Sequence, residues 1–142
     1  LLSIGYAGHM AYEKTAYYWR FVNTRSTVHR FHPDYFEACL NAAEAIKGAI
    51  SAAWGDNDAL QTAYLRQLIG GAFSAVCNYY YKTSPMSRAE RTAAVRQLCQ
   101  NRALRAAITR TGISDIRADW IMRQNAAMLG LYARAANLKH GR

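Results

Sequence analysis

The sequence predicts a mainly α-helical protein, a bundle of about four to five helices that follows a short extended segment at the N-terminus. Three observations support this. Apolar residues recur with a period of about 3.6 residues over most of the chain after residue 33. Residues that cap helices, and glycines that end them, divide this region into segments of helical length. Aromatic residues are concentrated before residue 33 instead.

The extended segment is predicted over residues 14–20, where tyrosine, tryptophan and threonine favour a pleated, half-buried surface. A lone strand is not stable by itself, so this one needs a sheet, a second copy or the helices to cover it. It belongs to a polar crossing, residues 17–33, in which aromatics, arginines, hydroxyl side chains and histidines join the extended and the helical regions.

The first predicted helix opens at Pro33, whose fixed φ suits the first helical position, and ends at Gly55. The second covers 58–82 and carries a wide apolar stripe. Between them, Asp56 and Asp58 have the D-x-D spacing that binds a metal and a nucleotide diphosphate in many glycosyltransferases. A metal-binding D-x-D follows a strand, so here we favour one of these aspartates as the N-cap of the second helix.

Two features of the second helix have alternative interpretations. Gly70 and Gly71 lower its stability, which indicates either close packing against a neighbour or a kink. The three tyrosines at 79–81 are interpreted as core and rim residues in preference to a platform that stacks on bases.

Three further helices complete the predicted bundle. Ser87 and Glu90 form a capping box at the start of the third, which runs to about residue 100. A short fourth helix covers 102–110, and a long last helix covers 115–138. The remaining predicted boundary residues are Asn101 and Ser114 as N-caps, and Gly112 as the residue that ends the fourth helix.

The net charge of +9 is unevenly distributed. Basic and acidic residues cancel over 1–81, whereas 82–142 contains twelve lysines and arginines against three acidic residues. A basic half-domain indicates an anionic partner such as lipid head groups, nucleic acid or a phosphorylated substrate. A solvated arginine-rich helical surface is the alternative, and it stays open because arginine far outnumbers lysine.

The cysteines and the ends of the chain bear on its compartment. Cys39, Cys77 and Cys99 are far apart and form no CxxC pair, which argues against zinc and disulfides and favours a reducing, cytoplasmic location. No signal peptide or membrane-spanning run is recognised. The chain begins with Leu-Leu, so we expect it to be processed or part of a longer protein.

The sequence contains no recognisable complete set of catalytic residues, and no catalytic or metal-binding residue is assigned. His29 and His32 could share a metal, but ordinary loop histidines are favoured. The candidate site is instead a diphosphate-binding loop, because arginine forks and hydroxyl donors match phosphate oxygens. From the residues alone, a connecting loop that hydrogen-bonds to itself is favoured over this site. The candidate substrate-binding residues are Arg20, Arg25, Ser26, Thr27 and His29.

Two short motifs and the order of elements resemble the C-terminal part of bacterial family 2 (GT-A type) glycosyltransferases of capsular and exopolysaccharide synthesis. In that family a strand of the form Tyr-Tyr-aromatic-Arg precedes a polar loop with a Ser-Ile/Thr/Val element and a long helical tail. Residues 17–20 read Tyr-Tyr-Trp-Arg, and residues 26–29 read Ser-Thr-Val-His. The capped helices after the tyrosine cluster are similar to the family's tail.

The resemblance implies two segments. Residues 1–32 would be the terminal strand and polar loop of a nucleotide-sugar domain whose catalytic part lies upstream, and 33–142 would be a helical C-terminal domain. It implies that the parent enzyme transfers a sugar from a nucleotide-sugar donor to a glycan or lipid-linked acceptor. It also implies a divalent metal, Mg or Mn, in the parent but no cofactor in this chain, which would be inactive alone.

The remaining expectations concern partners. The resemblance implies that the parent enzyme acts at the inner face of the membrane. The basic second half of the chain would there contact anionic lipid. A basic helical module that binds nucleic acid or regulates a partner is the alternative, although no helix-turn-helix is recognised. A helical scaffold that dimerises through its aromatic strand is a third hypothesis.

Overall fold

The structure is a computed structural model, and it describes residues 30–55 and 57–139. This part of the chain is helical and contains no strand. Its helices are α1 (Tyr35–Trp54), α2 (Asp58–Tyr79), α3 (Arg88–Gln100), α4 (Arg102–Thr111), α5 (Ile116–Met122) and α6 (Ala126–Lys139). The extended segment predicted over 14–20 lies outside the described residues.

Helix α2 is the centre of the bundle, packing against α1 and α4 most extensively and also against α6. Its apolar residues occupy several faces, so the helix is enclosed on more than one side. Ile69, Ala72 and Val76 are at most 1% exposed. Leu98, Leu104, Ile121 and Leu129 complete the core from the four helices that follow.

Local capping chemistry explains most helix boundaries. Ser87 and Glu90 form the predicted capping box, with Ser87 N–H donating to Glu90 Oε2 over 2.6 Å. Asn101 caps α4, because its side chain accepts from the N–H of Leu104. Gly112 ends α4 in the left-handed conformation, with φ 55°, where glycine carries no Cβ penalty. Gly55 ends α1 as predicted.

Four predicted boundaries are wrong by a few residues. α1 begins at Tyr35 with Asp34 as N-cap, so Pro33 precedes the helix. α2 is capped by Asn57 rather than by either aspartate, since its side chain accepts from two backbone N–H groups of the first turn. α2 ends at Tyr79, three residues early. Asp115, not Ser114, caps α5.

The single long helix predicted over 115–138 is wrong, because α5 and α6 are separate. Gln124 has a positive φ of 54°, and the Asn125 N–H bonds back to Trp120 O at 2.8 Å. The Asn125 side chain then accepts from Met128 N–H, as an N-cap does. This break raises the number of helices in the described part to six, against the four to five predicted.

Gly71 allows close approach between α1 and α2. A Cβ placed there would lie 3.1 Å from both Cβ and Sγ of Cys39, whereas one at Gly70 would meet nothing within 4 Å. Of the two glycines, Gly71 is therefore the one that permits close packing of α1 on α2. Cys39, Cys77 and Cys99 lie in α1, α2 and α3, and none of them forms a disulfide within the described part of the chain.

Candidate functional site

The predicted diphosphate-binding residues lie outside residues 30–55 and 57–139, the part of the chain that the structure describes. These residues are Arg20, Arg25, Ser26, Thr27 and His29. The described part begins at residue 30, so it includes the last four residues of the polar crossing, 30–33. These residues show how the crossing contacts the helices.

The end of the polar crossing is bonded to the C-terminal end of α2. Asn78 Oδ1 accepts from the His32 N–H at 3.0 Å, and Asn78 Nδ2 donates to His32 O at 2.8 Å. The neighbouring Phe31 N–H donates to Thr83 Oγ1 at 3.0 Å. Because Asn78 is only 1% exposed, these bonds fix the backbone at 31–32 against a rigid part of the core.

His32 itself is exposed, and its backbone makes these contacts. Within the described ranges, no three His, Cys, Asp or Glu side chains are grouped so that they could hold a metal ion. The predicted alternative of a metal shared with His29 lies partly outside those ranges.

A groove of about 560 Å³ lies between α3 and α6, with Tyr80 on its wall. Arg88 and Arg96 line it from α3, and Arg134 lines it from α6. None of the described residues that line it is acidic. The groove therefore concentrates positive charge in a concave surface, an arrangement that attracts anions.

Tyr80 organises one side of this groove. Arg91 and Arg134 both lie over its ring, with guanidinium carbons 5.7 and 5.4 Å from the centroid. Gly130 of α6 makes room for the hydroxyl, since a Cβ at this position would lie 2.5 Å from Tyr80 Oη. The aromatic ring thus makes cation–π contacts with two arginines.

The three groove arginines lack carboxylate partners among the described residues. The ion pairs of this part of the chain are Arg110–Asp58, Arg117–Asp115 and Arg123–Asp119. Glu90, the acidic residue on α3, is held by the capping box, where hydrogen bonds from Ser87 lower the pKa of its carboxyl. The positive charge of the groove is therefore uncompensated by these acidic side chains.

Arg91, which packs on the ring of Tyr80, is half-buried. Its Nη2 donates to Ser84 O at 3.2 Å, while its Nε is buried without a hydrogen-bond partner in the described structure. This guanidinium adds a fourth positive charge close to the groove.

Arg117, unlike the groove arginines, is paired with a carboxylate, and it is also packed against aromatic rings. It lies 4.1 Å from the centroid of Phe73 and 5.3 Å from that of Tyr132, and it donates to Asp115 and to Tyr132 Oη. Its side-chain hydrogen bonds hold the pKa of the Asp115 carboxyl below its ordinary value and raise the pKa of Arg117. This cluster is structural, because its charge is already paired.

The tyrosine cluster is confirmed as core and rim. Tyr79 and Tyr81 are buried, and Tyr80 is half-buried at the groove.

The excess charge of the second half of the chain is evident in the sequence, but the groove is not. A local signal was present, because Arg88, Thr92 and Arg96 are spaced by four and lie on one face of a helix. Their convergence with Tyr80 and Arg134 requires the packing of α3 on α6, which the sequence does not specify.

No helix in the described part of the chain is both long enough and apolar enough to cross a bilayer. No protein-family model, curated protein or solved structure matches the chain.

Proposed function

We propose that these helices are the C-terminal accessory region of a bacterial family 2 glycosyltransferase, and that they anchor the polar crossing for use in a donor pocket. The observation that supports this is the fixing of residues 31–32 by Asn78 and Thr83. A loop that must meet a diphosphate gains from a rigid support, because ordering it beforehand lowers the entropy lost on binding.

In this proposal Arg20 and Arg25 pair with the diphosphate of a nucleotide sugar, while Ser26, Thr27 and His29 add hydrogen-bond donors. The catalytic base, the sugar-binding sheet and a divalent Mg or Mn belong to the part of the enzyme upstream of this chain. The chain contributes binding and orientation but no chemical step. The acceptor is a glycan or a lipid-linked sugar at the inner face of the membrane.

Binding of a nucleoside diphosphate by protein expressed from the complete reading frame tests the proposal. We expect calorimetric binding of UDP or GDP, and a panel of labelled nucleotide sugars should reveal transfer to a glycan acceptor. Substitution R25Q should weaken diphosphate binding by at least about tenfold, since a charged hydrogen bond is worth about 1.5–3 kcal/mol. No nucleoside diphosphate binding at millimolar concentration would contradict the proposal.

The anchoring role is tested by T83V, which removes the acceptor for the Phe31 N–H but retains the side-chain shape. We expect weaker diphosphate binding with unchanged helix content. T62V near the start of α2 is the control, because Thr62 makes none of these bonds to the crossing. Equal diphosphate affinity in T83V and T62V would argue against anchoring through Thr83.

A basic nucleic-acid-binding module is the second candidate function, and the arginine groove favours it, because a positively charged groove can follow the phosphate backbone of a single strand. A gel shift whose affinity falls steeply with salt would support this alternative. Absence of nucleoside diphosphate binding together with such a shift would replace the first proposal with the second.

A further inference from the structure

The outer face of α6 carries an apolar stripe. Met128, Leu131 and Leu138 are 37%, 57% and 76% exposed, although leucine and methionine are usually buried. Their spacing places them within one side of the helix, and the exposed Ala127 and Ala135 lie on the same side. The opposite side of α6 carries Leu129 and Ala133, which are fully buried in the core.

This stripe adjoins the arginine groove. Leu131 lines the groove itself, and Arg134 lies on α6 between Leu131 and Leu138. Arg88 and Arg96 face the stripe from across the groove. Exposed leucines and uncompensated arginines therefore form one continuous surface.

We propose that this surface binds an anionic phospholipid membrane, with Arg88, Arg96 and Arg134 on lipid phosphates and with Leu131 and Leu138 entering the interface. Arginine forks bind phosphate oxygens, and apolar side chains beside cations are the pattern of helices that lie on a membrane. The assignment deepens the membrane-face part of the proposed function and rests on it. Its test uses other residues than the nucleotide test, so either can fail alone.

Charge and apolar character together favour this partner over two others. A nucleic acid would neutralise the arginines but leave the exposed leucines uncovered. A second copy packed on the same surface by two-fold symmetry would cover the leucines but bring three unpaired arginines of each copy together, which like-charge repulsion opposes.

Vesicle co-sedimentation at low salt tests the arginines. Phosphatidylglycerol–phosphatidylcholine vesicles should bind the chain at least about tenfold more tightly than phosphatidylcholine alone, because each cation near an anionic surface contributes several-fold. R96Q/R134Q should lose most of that preference. The control R66Q/R102Q removes the same charge from exposed positions of α2 and α4 outside the groove. The logarithm of its preference for anionic vesicles should fall by less than about half as much as in R96Q/R134Q. Equal losses in the two variants would overturn the proposal.

The leucines provide the second arm. L131S/L138S should weaken vesicle binding by about tenfold or more, since each substitution removes an alkyl group from the membrane interface. Unchanged vesicle binding in L131S/L138S would overturn the membrane contact. A dimer that dissociates in this variant without loss of vesicle binding would identify the stripe as a self-association surface and would also overturn it.

A single-stranded RNA oligonucleotide at the same salt completes the test. If it binds more tightly than the anionic vesicles and R96Q/R134Q removes that binding, the groove is a nucleic-acid site and the proposal fails. Far-UV circular dichroism of every variant checks that these exposed substitutions leave the helices intact, and weaker RNA than vesicle binding supports the lipid assignment.

Discussion

Asn78 is a buried amide whose hydrogen bonds serve another segment. Both its side-chain donor and its acceptor are used by the backbone of His32, 46 residues away in sequence. A buried amide without partners would destabilise the fold, so its position depends on the crossing being in place. The dependence is mutual, because the same two bonds hold the backbone of His32 against the core.

Substitution N78A should lower the free energy of unfolding by about 2 kcal/mol relative to N41A. Two hydrogen bonds of about 1 kcal/mol each are lost. Asn41 is exposed within α1, so N41A corrects for the better helix propensity of alanine. Urea denaturation measures the difference, and faster amide exchange at His32 should accompany it. Equal midpoints for the two variants would show that Asn78 does not stabilise the crossing.

The Asp115–Arg117 pair makes stability depend on pH. Hydrogen bonding from the Arg117 side chain, and then from backbone N–H groups, lowers the folded pKa of Asp115 below the ordinary 3.8. Its contribution is therefore complete above about pH 4 and is lost as the pH falls through the lower folded pKa.

Substitution D115N should destabilise the protein by about 1 kcal/mol at pH 7. Asparagine can still cap the helix, but it has no negative charge to pair with the Arg117 guanidinium. The difference between wild type and variant should shrink as the pH falls below 3.8 and through the lower folded pKa of Asp115. D119N is the matched control, since the Asp119–Arg123 pair is exposed and should contribute less than about 0.5 kcal/mol. Thermal melts from pH 2 to 7 measure both, and a D115N deficit that persists undiminished at pH 2 would exclude the ionic origin.

At the scale of elements, helix ends with a purely local cause are predictable. The Ser87–Glu90 box, the Asn101 cap and the Gly112 stop each depend on residues within one turn. The separation of α5 from α6 is not predictable in this way. Asparagine at position 125 is compatible with a continuous helix, and its capping bond becomes favourable only when α6 packs on α3. The groove follows from that same packing, so it could not be predicted either.

Gly130 is the contact on which the approach of α6 to Tyr80 depends. G130A should destabilise by about 1–2 kcal/mol, because overpacking against the ring outweighs the gain in helix propensity. G48A should instead stabilise by about 0.5–1 kcal/mol, since no atom lies within 4 Å of the new Cβ. Denaturant midpoints measure both changes.

A second variant identifies the cause of the G130A effect. Y80F removes the hydroxyl that a Cβ at position 130 would meet first, so Y80F/G130A should recover part of the lost stability. No coupling between the two substitutions in a double-mutant cycle would place the G130A effect elsewhere than at Tyr80.

At the scale of the whole molecule, the helices share one core across which α2 contacts both earlier and later elements. Val95, Leu98 and Cys99 of α3 are at most 1% exposed within it. Arg105 joins its parts by donating to Cys99 O at 3.3 Å and Met122 O at 3.1 Å. Opening of the core at α3 should therefore require loss of the whole fold rather than of one helix.

The Cys99 thiol reports on that cooperativity. Burial raises its pKa to about 11, opposed by the charge of Arg105, and the residue is 0% exposed. In a C39S/C77S background, Cys99 should react with a disulfide reagent only through global unfolding, so its labelling rate should give the same free energy and urea dependence as circular dichroism. Cys39, half-buried in α1, should react much faster in a C77S/C99S background. Labelling of Cys99 that is fast and independent of urea would mean that α3 opens separately from the rest of the core.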